Sequence, residues 1–227
     1  MLNISGGGEV DIYITATAII DNEIYESVPS SHAYMYYQGF ETAMGNWKMI
    51  AEDSSKISFV RSTVESNYAG SWGIKNLGAF PWYPALWTIL ASPKIPEYEG
   101  ATKAKFEFVH RHQALLPQNG YQVGYMHSLP TAGQPYVTGY NPITEVSYGY
   151  PYNSTSSSAL QSEFGVPEGK DVNFGLNYSY WNGWYMSGFD VSEIIGNGKG
   201  DYLVIGLAGD YFDLLDVHID EVAILVY

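Results

Sequence analysis

The sequence predicts an all-β protein built as a sandwich of two antiparallel sheets. Short alternating apolar and polar runs recur along the 227 residues, with Gly, Pro, Asn and Ser between them, the pattern of half-buried strands joined by turns. Helical periodicity is scarce. Two acidic strand signals also lie far apart, Gly39-Phe40-Glu41 followed by Trp47 near the start and Val217-His218-Ile219-Asp220-Glu221-Val222-Ala223-Ile224 at the end. A first and a last strand that each carry a carboxylate suggest terminal strands that meet and share a metal ion.

In chain order, residues 10–20 carry an apolar side chain at every even position and read as one period-two strand. Asp21-Asn22 breaks that run, and Pro29-Ser30-Ser31 forms a step before a strand over residues 34–41. The chain therefore divides into an N-terminal strand or arm with its linker, residues 1–32, and a sandwich domain, residues 33–227. Further strands are expected at 57–61, 71–75, 87–90, 103–109, 121–126, 145–150, 172–178, 202–208 and 217–227. In the run at 103–109, Ala104, Phe106 and Phe108 share one face and Lys103, Lys105 and Glu107 the other. At most one helical turn fits, around residues 191–195 with Asp190 as its cap. Residues 153–158, Asn-Ser-Thr-Ser-Ser-Ser, read as an exposed loop, as do 82–84 and 93–100.

A chain this long and 46% hydrophobic can bury a full core. Only 15% of residues are charged while Tyr numbers 21, so polar and tyrosyl side chains make up the surface, as in secreted and cell-surface proteins. Ten basic against 24 acidic residues give a formal net charge of −14. Such a surface repels phosphate backbones and argues against nucleic acid, whereas it suits hard cations with oxygen ligands. There is no Cys, which excludes disulfides, thiolate metal sites and a thiol nucleophile. No run is apolar enough for a membrane span. The N-terminal residues lack the regions of a signal peptide, so the expectation is a mature or excised piece, or a protein not exported by that route. Sequons stand at Asn3, Asn153 and Asn177.

The order of signals resembles a known group of domains. Phe40-Glu41, Trp47 and Tyr68-Ala69-Gly70-Ser71-Trp72-Gly73-Ile74 look like the opening of extracellular jelly rolls. Trp184, Phe189-Asp190-Val191-Ser192, the run at 202–207 and Ile219-Asp220-Glu221-Val222 look like their closing strands. The relatives are MAM-like and carbohydrate-binding-module-like domains, including those appended to secreted metallopeptidases of the immune-inhibitor-A type. The resemblance spans residues 34–227. It implies a concanavalin- or galactose-binding-like jelly roll, to which the N-terminal strand is extra, and core positions for Trp47, Trp72 and Trp184. It also implies a structural Ca²⁺ between Glu41 and Asp220, completed by a main-chain oxygen near Gly70 or Ser71. A carboxylate at the end of an apolar strand is costly to bury uncompensated, and a bridging cation would compensate it. The competing reading is that both acids are solvated or capped by backbone N–H groups. By alternation Glu221 falls on the face opposite Asp220. Asp210, Asp213 and Asp216 form an acidic loop that could hold a different ion, although it reads more simply as solvated charge.

Catalytic patterns are weak. Glu9-Val10-Asp11 resembles the acidic strand of laminarinase-like glycosidases, which need two carboxyl groups about 5 Å apart, but Ile14 stands where the third acid belongs. His110 and His112 share the parity of Phe106 and Phe108, which favours packing at the core edge over a metal pair. His127 and His218 have no evident partners in sequence. Trp82 with Tyr83, in a Pro-flanked loop, and Trp181 beside Asn182-Gly183 are the candidates for an exposed sugar-stacking platform. The sequence thus points to a non-catalytic extracellular binding or adhesion module, Ca²⁺-stabilised, with glycan or a cell-surface partner as ligand. One alternative is a subunit of a surface filament or layer, self-assembling by donation of residues 10–20 to a neighbour's sheet. The other is a glycoside hydrolase on a concanavalin-like sandwich.

Overall fold

The computed structural model describes residues 8–12, 17–20, 23–26, 33–63, 68, 70–71, 73–78, 85–95, 103–113, 120–143, 158–167, 183–195, 201–209 and 216–226. The expected strands at 145–150 and 172–178, the loop at 210–215, Trp72, Trp82, Tyr83, Trp181 and the three sequons lie outside them.

The elements are β1 (Gly8–Ile12), β2 (Thr17–Ile20), β3 (Glu23–Glu26), β4 (Ala33–Gln38), β5 (Lys48–Ala51), β6 (Ile57–Ser62) and β7 (Gly73–Gly78). They continue as β8 (Leu86–Ala91), β9 (Ala104–Gln113), β10 (Gly120–Met126), β11 (Asn141–Pro142), α1 (Ser158–Phe164), β12 (Tyr185–Asp190), β13 (Tyr202–Gly209) and β14 (Asp216–Val226). All pairings are antiparallel. The result is an all-β sandwich. One sheet runs β11-β10-β13-β8-β5. The other is built on β14, the final strand. One edge of β14 pairs with β9, which carries β12. Its other edge is shared end to end by β7, at His218 and Ile219, and β4, at Val222 to Val226, and these lead to β6 and β1.

The main core lies between the sheets. Phe106, Phe108 and Phe189 face Tyr121, Val123, Leu203, Ile205 and Leu207, with Phe40 and Trp47 closing one end. The rings of Phe108 and Phe189 stack with centroids 6.0 Å apart. A polar bridge crosses this core: His110 has Ser187 Oγ 2.7 Å from Nε2 and Tyr121 Oη 2.5 Å from Nδ1, and all three residues are fully buried. The imidazole thus links the two sheets, a role beyond the core-edge packing that its shared parity with the phenylalanines implied. The side chain of His112 is not among those described.

A second apolar layer covers the outer face of the five-stranded sheet. Trp87, Ile89, Val204 and Ala208 lie beneath Val137, Tyr140, Leu160 and Phe164, so β8 and β13 are apolar on both faces, which explains their uninterrupted runs. Gly206 is needed here, because a Cβ would sit 2.8 Å from the Phe164 ring. Gly206→Ala is therefore expected to lower stability by about 1–3 kcal/mol in denaturant melts, and Phe164→Leu to recover part of that loss by freeing the space.

Two expectations need correction. Residues 10–20 are not one strand: β1 pairs with β4 in the large sheet, while β2 pairs with β3 in a separate two-stranded sheet. Residues 158–164 form a helix, so Ser158 begins α1 instead of ending a loop. Its Leu160 and Phe164, four residues apart, pack on the sheet, and tertiary packing sustains a helix too short to persist alone. The turn after Asp190 is as expected: Ile194 and Ile195 donate to Val191 O at 3.0 Å, and Asp190 accepts from Ser192 N at 2.9 Å. The Ser192 hydroxyl, donating to the same carboxyl at 2.5 Å, and then Ser192 N hold Asp190 below its ordinary range.

Candidate functional site

Where β4 and β7 meet along β14, neither pairs with Asp220 or Glu221, and the β14–β9 register shifts between Asp220 and Ala223. This is a β-bulge, with Glu221 at φ 49°. Its effect appears in the core: Val217 and Ile219 point inward before it, Val222, Ile224 and Val226 after it. The simple alternation that set Glu221 opposite Asp220 therefore fails, because the extra residue resets the parity. At the end of β4 the chain turns through Phe40, also left-handed at φ 58°. Among the described residues these are the two non-glycine positions with positive φ, and such strained positions cluster at functional sites. Each adjoins one of the two acids, Phe40 before Glu41 and Glu221 after Asp220.

Four residues singled out in the sequence meet at this junction. Asp220 is fully buried and accepts from Tyr68 N at 2.8 Å and from Glu221 N at 2.9 Å. Ser71 N lies 2.9 and 3.0 Å from the two Glu41 carboxylate oxygens. Gly70, at φ +69°, packs so closely that a Cβ would lie 2.1 Å from Glu41 Oε1. The two carboxylates thus hold Tyr68 and Ser71, three positions apart, through their backbone N–H groups, as the capping alternative anticipated. Arg61 donates from Nε and Nη2 to the carbonyls of Phe40 and Glu41.

The junction is strongly negative. Tyr37 donates its hydroxyl to Glu221, and its phenol is pushed well above the ordinary range. Burial is the largest cause, followed by the bond to Glu221 and then the charges of Glu221, Asp220 and Glu41. Three carboxylates therefore act on one phenol, and their hard oxygens, with the Cβ-free space at Gly70, are of the type that suits Ca²⁺. Among the described residues no group of three acidic or imidazole side chains forms a metal-ligand cluster, so main-chain oxygens would have to complete any coordination.

Beside the junction, on the outer face of the same sheet, stands an aromatic group that the sequence reading missed. Trp184 is not a core residue: it is half-buried, its ring 5.8 Å from that of Tyr68 and 6.4 Å from that of His218. Arg111 lies 5.1 Å over the Trp184 ring. Arg111 and His218 are register partners on β9 and β14, so their placement follows from strand pairing. Trp47, by contrast, is in the core as expected.

No protein-family model and no curated protein matches the sequence. Solved structures similar to the chain include a cleaved adhesin domain of Lys-gingipain from Porphyromonas gingivalis, at 14% identity over 84% of this chain and 96% of that one, with a TM-score of 0.49. A xylan-binding domain of carbohydrate-binding-module family 22 has 15% identity over 84% and 93%, with a TM-score of 0.42. A family 61 module in complex with β-1,4-galactotriose has 10% identity over 82% and 92%, with a TM-score of 0.40. These are binding and adhesin domains by name. The assignment of this chain as a β-sandwich rests on the strand pairing above. No helix among the described residues is long and apolar enough to cross a membrane.

Proposed function

We propose that this chain is a non-catalytic, extracellular binding module whose ligand class is glycan and whose terminal-strand junction is steadied by Ca²⁺. The observation that carries the ligand class is Tyr68. Its ring is 56% exposed while its main chain is tied to Asp220, so an apolar face is presented to solvent at little entropic cost. A sugar ring offers a matching apolar face of C–H groups and hydroxyls for the polar surroundings. For the ion, Glu41 and Asp220 are the proposed carboxylate ligands, with a main-chain oxygen near Gly70 or Ser71. Bound there, Ca²⁺ would supply the positive charge that three neighbouring carboxylates call for, a structural role and not a chemical step.

Native electrophoresis through gels containing xylan, mannan, galactan or mixed-linkage β-glucan tests the ligand class. Retardation in at least one of these gels is expected, with no reducing sugar released on prolonged incubation. Release of sugar would restore the glycosidase alternative, and unchanged mobility in every gel would contradict the glycan reading.

A further inference from the structure

Resting on that glycan reading, we infer that the saccharide stacks on the Tyr68–Trp184 pair, on the outer face of the sheet that contains the first and last sandwich strands, and that the sugar is neutral. The outer face of the other sheet carries its own cover. Trp87 Nε1 donates to Gln134 O at 2.9 Å, Tyr140 donates to Gln122 O at 3.0 Å, and Val137 N donates to Glu163 O at 2.7 Å. These bonds tie the 127–143 segment and α1 down over β8, β10 and β13, so among the described residues the middle of that face is covered.

The β14 face differs. Tyr68 is 56% exposed and leans on Trp184 with an interplanar angle of 61°. Met186, 51% exposed, lies in β12 two residues after Trp184, which immediately precedes that strand. Two aromatic side chains from separate parts of the chain thus lie together. The platform is held from below. Arg111 covers the Trp184 ring, His218 meets it nearly edge-on at 85°, and Asp220 fixes the Tyr68 backbone. Rigid aromatic side chains of this kind lose little freedom on binding.

Charge selects the ligand within its class. Asp220, Glu221 and Glu41 lie at the junction beside the platform, and the chain carries a formal net charge of −14. Arg111 over the Trp184 ring, Lys75 as the other register partner of His218, and Arg61 at the Phe40 and Glu41 carbonyls balance these carboxylates locally. The discrimination therefore comes from the net charge: an anionic sugar meets long-range repulsion on approach, whereas a neutral pyranose meets ring faces flanked by hydrogen-bonding groups.

The same affinity gels test this with four variants. Tyr68→Ala and Trp184→Leu should each weaken retardation about tenfold or more, the size of a hot-spot truncation, while Tyr68→Phe retains it. Tyr136→Ala, which removes another exposed ring at 58%, should leave retardation unchanged. Thermal melts of each variant guard against loss of fold, and Tyr68→Ala, at an exposed position, is the informative one if Trp184→Leu fails to fold. Retardation of the wild type that Tyr68→Ala leaves unchanged, or that Trp82→Ala or Trp181→Ala abolishes instead, overturns the platform while the glycan reading survives. Retardation only by polygalacturonate or hyaluronan overturns the neutral-sugar assignment. A wild type retarded by no polysaccharide overturns both.

Discussion

Replacing His110 by phenylalanine is expected to lower the unfolding free energy by about 2–3 kcal/mol, although the ring volume is nearly kept. The imidazole makes two buried hydrogen bonds, to Ser187 on β12 and Tyr121 on β10. Each such bond is worth about 1–1.5 kcal/mol net. A neutral imidazole has one donor and one acceptor nitrogen, so it can satisfy two hydroxyls that no apolar ring can. Ser187→Ala and Tyr121→Phe should each cost about half as much. The double variants with His110→Phe should show coupling, because both single changes break a bond that His110 shares. Chemical denaturation measures all of these. A His110→Phe variant within about 0.5 kcal/mol of the wild type would mean that the bridge contributes nothing to stability.

Replacing Asp220 by alanine should be at least as costly, about 2–4 kcal/mol. The change removes the acceptor for two backbone donors, Tyr68 N and Glu221 N, at the bulge where β4 and β7 hand over along β14. The bonds from Ser71 N to Glu41 would remain. Asp220→Asn separates charge from shape. With no cation present, neutralising one of the three carboxylates that act on Tyr37 relieves repulsion and should offset part of the lost bonding. With Ca²⁺ bound, the same change removes a ligand, so the variant should fall further below the wild type in calcium than in chelator.

The fold was largely legible because period-two patterning survives wherever one sheet face is wet. Residues 57–61 fall within β6, and 34–41 begins in β4 but overruns its end at Gln38. The doubly buried runs of β8 and β13 gave continuous apolar stretches whose second cover, α1 with the 127–143 segment, has no signature in the strands themselves. The break in parity between Ile219 and Val222 was present in the sequence, yet two adjacent acids masked it as ordinary alternation. Glu41, Gly70, Ser71 and Asp220 could be named together only through family resemblance. Their physical link, the hold of the two carboxylates on Tyr68 and Ser71, depends on bonds between residues 30 and 152 positions apart. Trp184 was misplaced for the same reason: its neighbours Tyr68 and Arg111 are remote in sequence, and a tryptophan beside a strand reads as core until the face it occupies is known.

The terminal-strand junction as a calcium site is tested most directly by thermal unfolding in EDTA and then in excess Ca²⁺, for the wild type, Glu41→Ala and Asp220→Ala. A bound ion that the unfolded chain does not hold stabilises by mass action. The wild type should therefore melt lower in chelator and recover with calcium, whereas both variants should melt at the same temperature in either condition. A wild type indifferent to calcium, or variants that keep its full response, would contradict the assignment.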